Sequence, residues 1–130
     1  MFTLSKNETE VVQLMWAENR PLSRTQIIDL SVNKSWKPSS IHILLNSLLK
    51  KEAIEVSGFV RTGKNYGRTY VATVTQDEYT AMQLTKNGNA THAENIPGIF
   101  AALIRTNEMD TETLDQLQSI LDKRREALLK

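Results

Sequence analysis

The chain has 130 residues, 40% of them hydrophobic, with 16 Lys+Arg against 15 Asp+Glu and no cysteine. That length suits one small domain with an extension and excludes large catalytic folds such as barrels, and the lack of cysteine excludes disulfides and thiolate metal sites. No apolar run approaches the roughly 20 residues of a membrane span, and the start MFTLSKNETE lacks the basic flank and apolar stretch of a signal peptide, so the expectation is a cytoplasmic protein with no membrane partner.

In chain order, Ser5 and Glu8 form an S-x-x-E capping box that should start a helix. Val11, Leu14 and Met15 share one face of it, and it should end near Asn19, before Pro21. Ser23 and Gln26 form a second box, starting a short helix with Ile27, Ile28 and Leu30 on one side. Pro38 suits the first turn of a third helix. There Ile41, Leu44, Leu45 and Leu48 recur at i, i+3, i+4, i+7, a buried stripe. The opposite face carries Ser39, Ser40, His42, Ile43, Asn46, Ser47 and Lys50.

The period then changes. AIEVSGF, residues 53–59, reads as a strand, VRTGKNYG (60–67) as a hairpin tip and RTYVATV (68–74) as the return strand. Thr75 and Glu78 form a third capping box for a helix over Gln76 to Leu84, with Tyr79 and Met82 inward. KNGNATHAEN, residues 86–95, is a polar break, and His92 within it reads as a solvated loop residue. IPGIFAALI (96–104) should be helical from Pro97. After a turn over Thr106 to Asp110, Thr111 should cap a last helix, in which Leu114, Leu117, Leu121 and Leu128 follow heptad spacing. Trp16 and Trp36 read as packing residues.

The fold class that follows is mainly α with a small β-hairpin. Helix–helix–helix–strand–basic hairpin–strand is the order of a winged helix-turn-helix, expected over residues 1–75, with a helical dimerisation region over 76–130. In such a domain the third helix enters the DNA major groove and the hairpin is the wing. Charge agrees: residues 1–74 hold ten Lys/Arg and six Asp/Glu, whereas 75–130 hold six and nine. A local positive surplus is the footprint of a polyanion binder. Ser39, Ser40, His42, Ile43 and Asn46 are candidate base readers, because Ser and Asn can hydrogen-bond base edges and an apolar side chain can meet a thymine methyl. Lys37, Lys50, Arg61, Lys64 and Arg68 are candidate phosphate contacts, which position without specifying. Ile99, Phe100, Leu103, Leu114, Leu117 and Leu121 are candidate dimer contacts, since helix-turn-helix proteins usually bind as two-fold dimers on palindromic half-sites.

Three stretches carry a resemblance to a known family. LSKNETEVVQLMW opens the chain from Leu4 to Trp16. Trp36, Ser40-Ile41, Leu44-Leu45-Asn46, Leu48 and Lys51 follow in fixed order, and Tyr70 stands near the end of the wing. With the apolar C-terminal helices, these make the chain resemble the penicillinase and methicillin-resistance repressors, a family that also includes copper-responsive repressors. The resemblance implies a homodimeric repressor on a palindromic double-stranded DNA operator, with a link to antibiotic resistance. It also implies inactivation by a sensor-linked protease, cutting here near Ala102–Leu103. The chain departs from the family pattern in several places, among them Ser40-Ile41 for Thr-Val, Ala72 for the proline of Tyr-x-Pro and Ala102-Leu103 for Asn-Phe at the cleaved bond. Ile43 replaces a threonine, and Ser47 an arginine, both expected to face DNA; Glu52 replaces a glycine after Lys51. The paired cysteines of the copper-responsive members are absent, which argues against copper sensing. No cofactor or metal is expected, nor an enzyme: there is no activated nucleophile, phosphate loop or cluster of titratable groups. The competing reading is a winged-helix adaptor for protein contacts, since fold does not fix function; it would lack the steep salt dependence of DNA binding.

Overall fold

The computed structural model describes residues 2–86 and 96–130; the polar break and His92 lie outside them, apart from Lys86, which ends a helix. The chain forms two compact units, Met1–Gln83 and Leu84–Lys130.

The first unit opens with α1, Lys6–Glu18. Both halves of its capping box are made: the Glu8 backbone N–H donates to Ser5 Oγ (3.2 Å) and the Ser5 N–H donates to Glu8 Oε1 (2.8 Å). Asn19 ends the helix in the left-handed region, at φ 52°. Val11, Val12 and Met15 form its buried face, and Leu14 is only half-buried, so the stripe is rotated from the expected one. A strand unforeseen in the sequence follows, β1 at Leu22–Ser23, too short to show a period. Ser23 then caps α2, Arg24–Leu30, through its box with Gln26. A 3₁₀ turn at Pro38–Ser40 leads into α3, Ile41–Lys50. The whole expected stripe of Ile41, Leu44, Leu45 and Leu48 is buried there.

Strands β2, Ile54–Thr62, and β3, Asn65–Ala72, make the wing. The sheet is antiparallel in the order β1-β3-β2, with Leu22 opposite Tyr70. The expected eight-residue tip is a correction. Val60 pairs with Gly67, Arg61 with Tyr66 and Thr62 with Asn65, leaving only Gly63 and Lys64 in the turn. Gly63 has φ +64°, as the first residue of a Gly-X two-residue hairpin turn needs. The register shifts between Val56 and Gly58, so Ser57 forms a bulge.

Helix α4, Gln76–Lys86, is capped by Thr75 and Glu78 as expected. Its start packs with the first unit. The Tyr79 ring lies 6.1 Å from Phe2 and 5.7 Å from Trp16, and Trp16 Nε1 donates to the Val74 carbonyl (2.8 Å). The first unit therefore extends past residue 75. Trp36 is buried among the side chains of the core, with Lys34 Nζ 5.7 Å from its ring centre.

The second unit holds α5, Ile96–Thr106, and α6, Thr111–Leu128. The cap of α6 is Asp110, whose carboxylate accepts from the Thr113 N–H (2.8 Å), and not Thr111. Aspartate wins because Asp110 is extended (φ −80°, ψ 171°), placing its oxygens over the first free N–H groups. Neither helix has a buried residue.

Candidate nucleic-acid interface

Burying Ile41, Leu44, Leu45 and Leu48 forces the other face of α3 outward, because successive residues step about 100° around a helix. Ser39, His42, Ile43, Asn46 and Lys50 are exposed on and just before that helix, with Ile43 at 73%, and Ser40 is half-buried. Lys37, just before the 3₁₀ turn, is exposed too. The expected base readers therefore lie on the outward side of one helix and its entry turn.

Ser47 is a correction. Its hydroxyl donates to Glu8 Oε2 (2.5 Å), so it turns toward α1 and leaves the outward face. Glu8 is 3% exposed, and Lys51 Nζ donates to its other oxygen at 2.5 Å while also reaching the Thr3 carbonyl (2.8 Å). Burial alone would raise the Glu8 pKa. The hydrogen bonds from Lys51, Ser47 and Ser5 outweigh it and lower the pKa to about 2. Two residues on, Glu10 Oε1 accepts the Ser35 backbone N–H (2.9 Å), and this hydrogen bonding lowers its pKa. Helix α1 thus holds the recognition segment ahead of its start, at Ser35, and near its end, at Ser47 and Lys51. An isoleucine at position 43 and a serine at 47 have different consequences: the first changes the outward face, the second an internal tie.

In the wing, Phe59 stands opposite Arg68 and Arg61 opposite Tyr66. Opposed residues share a face of the sheet, so two arginines and two aromatics lie together, all four exposed. Lys64, in the turn, is exposed as well. The structure thus presents the five expected phosphate contacts, Lys37, Lys50, Arg61, Lys64 and Arg68, on the surface of the first unit.

Two features were missed by sequence reasoning. Arg24, the first residue of α2, donates through Nη1 to His42 Nε2 (2.5 Å). Its sequence signal was a cation in the first turn of a helix, where the dipole disfavours one. The Glu8–Ser47–Lys51 tie gave no local signal, because its members lie 39 and 43 residues apart.

Among the described residues, no group of three or more His, Asp or Glu could hold a metal ion, and no helix is long and apolar enough to cross a membrane. A buried three-helix body, an outward polar helix face and a basic β-hairpin define a winged helix-turn-helix protein with a helical extension. The penicillinase repressor family model matches residues 4–123, and the chain belongs to that family. Its members are DNA-binding regulators, not enzymes. The chain is also 31% identical over 125 residues to an uncharacterised 16.5 kDa protein of the ptsI 3′ region in Latilactobacillus sakei, covering 91% of this chain and 77% of that protein.

Proposed function

We propose that the protein is a homodimeric, sequence-specific transcriptional repressor that occupies a palindromic operator and blocks a promoter. In this reading residues 1–75 bind DNA and residues 76–130 dimerise. The observation that carries it is the division of α3 into a fully buried apolar stripe and an outward face of Ser39, His42, Ile43 and Asn46. A helix held by its core on one side and offering short polar side chains on the other suits major-groove readout. Exposed lysines and arginines at both ends of that face and along the wing suit the phosphates.

Dimerisation rests on the second unit. Phe100, Leu103, Leu114 and Leu121 are 39–54% exposed, and Ile99 and Leu117 are half-buried. Two helices with this much uncovered apolar surface gain stability by covering it with a second copy. Cleavage of Ala102–Leu103 by a sensor-linked protease, linking the protein to antibiotic resistance, belongs to the same proposal. The bond lies inside α5, with the Ala102 carbonyl accepting from Thr106 Oγ1 (2.7 Å), so α5 must open before it is cut. Mass spectrometry of the protein from β-lactam-treated cells checks this: a fragment ending at Ala102 is expected, and an intact chain rejects it.

The experiment for the main reading is selection of random duplex DNA by the purified protein, with sequencing of the bound pool. An enriched inverted repeat is the expected result and names the operator. An unenriched pool overturns specific repression and favours an adaptor that binds protein through the same fold.

A further inference from the structure

We propose that the groove between the start of α2, His42 of α3 and the wing is a cradle for one DNA backbone phosphate, held by Arg24 and Arg68 beside His42. This rests on the DNA-binding reading and adds a site and a residue to it. Arg24, His42 and Arg68 come from three separate elements and line one groove with Ser23, Thr25 and Tyr66. None of the described residues lining it is acidic. Among the described residues neither arginine forms an ion pair with a carboxylate.

The local chemistry favours an anion. Arg24 Nη1 lies 2.5 Å from His42 Nε2, which ties the two side chains together at the groove. The rest of the Arg24 guanidinium keeps its own N–H groups for a ligand. Arg24 and Arg68 together place two positive charges along the groove without a counter-charge. A phosphate supplies that counter-charge, and its two non-bridging oxygens suit donors from more than one element. The groove joins the recognition helix to the wing, so a phosphate fixed in it sets how deeply α3 sits in the major groove. Binding to a phosphate carries no base information, and Arg24 is therefore a positioning residue for readout by α3.

The test uses the full chain and two duplexes of equal length, one enriched by selection and one with the same bases scrambled. Binding to both is titrated across salt concentrations. For Arg24→Ala, log K against log[salt] should flatten by about 0.9 for each phosphate no longer neutralised, hence by nearly two for a dimer. The flattening should be equal on the two duplexes, leaving their affinity ratio unchanged. Arg24→Lys, which keeps the charge, should retain most of the slope. Arg24 is exposed, so thermal unfolding of both variants should match the wild type. A wild-type slope in Arg24→Ala overturns the cradle, and so does a loss confined to the enriched duplex, which would make Arg24 a base reader. Wild-type protein that binds neither duplex overturns the DNA reading itself, and the cradle with it.

Discussion

Helices α3 and α6 carry the same kind of apolar stripe and meet opposite fates. In α3, Ile41, Leu44, Leu45 and Leu48 are at most 9% exposed. In α6, Leu114, Leu121 and Leu128 are 41%, 54% and 69% exposed. Spacing does not explain this, since both stripes fit a helical period. What differs is the supply of opposing surface. Residues of α1, α2 and the sheet close over α3 within one chain, and Val11, Leu22 and Ile54 are almost wholly buried beside it. The described residues of the second unit are α5, α6 and the end of α4, and one helix pair cannot enclose its own apolar faces. The first unit therefore has a core of its own, whereas α5 and α6 leave their apolar faces exposed.

The largest predicted effect breaks that difference directly. Leu117→Asp puts a charge into the proposed interface and should turn a dimer into a monomer by analytical ultracentrifugation. A monomer holds one half-site, so affinity for the full inverted repeat should fall by about 100-fold or more, because binding of the second half-site is no longer intramolecular. The melting of the first unit should be untouched. A variant that stays dimeric places the interface elsewhere.

Glu8 tests the closed unit from inside. Its pKa is lowered from 4.5 to about 2, below the unfolded value. The stability it contributes is therefore fully present above pH ~4.5 and lost as pH falls toward 2, about 3 kcal/mol in all. Glu8→Gln removes the charge and leaves the Lys51 ammonium without its carboxylate, though still on the Thr3 carbonyl, so that contribution should be missing at pH 7 already. Urea unfolding checks this: the gap between wild type and variant should be widest near neutral pH and close by pH 2. A constant gap would mean that the tie owes nothing to the charge.

Asn46→Ala and Lys64→Ala sharpen the division of labour on the surface. Both residues are exposed, so neither change should alter folding. Asn46→Ala should cost about 1–2 kcal/mol on the enriched duplex and little on the scrambled one. Lys64→Ala should cost about 1 kcal/mol or less on both, an effect that fades at high salt. Equal losses on both duplexes for both variants would remove the distinction between reader and anchor.

What could be read in the sequence follows from the distances involved. The three capping boxes and the α3 stripe depend on residues within seven positions, and each formed where the pattern put it. The wing was recognisable, but its length was not. Gly67 resembles a loop residue, yet it pairs with Val60 in the ladder, and only Gly63 and Lys64 make the turn. The outward face of α3 was legible except at Ser47, where helical phase leaves a boundary residue undecided. Only Glu8, brought in from α1, turns Ser47 inward. Arg24 became significant only once folding set it against His42.

The smallest predicted effect lies at the end of α3, where the closed unit stores a little strain. The Ala53 N–H donates to the Leu48 carbonyl (2.9 Å) and the Glu52 N–H to the Leu49 carbonyl (3.0 Å). This is a Schellman ending, which needs a left-handed residue at position 52. Glu52 supplies it with φ 63°, where the resemblance leads one to expect glycine. The other non-glycine residues with positive φ among those described, Asn19 and Asn33, are asparagines, which tolerate that region better. A side chain with a Cβ costs about 1–2 kcal/mol there, but glycine returns part of this as greater freedom of the unfolded chain. Glu52→Gly should therefore stabilise the protein by roughly 0.5–1 kcal/mol in urea unfolding. Replacing an α6 carboxylate by glycine, as in Asp115→Gly, should destabilise instead, by about 0.3 kcal/mol. Opposite signs at the two sites would show that backbone geometry, rather than loss of a surface carboxylate, decides the outcome.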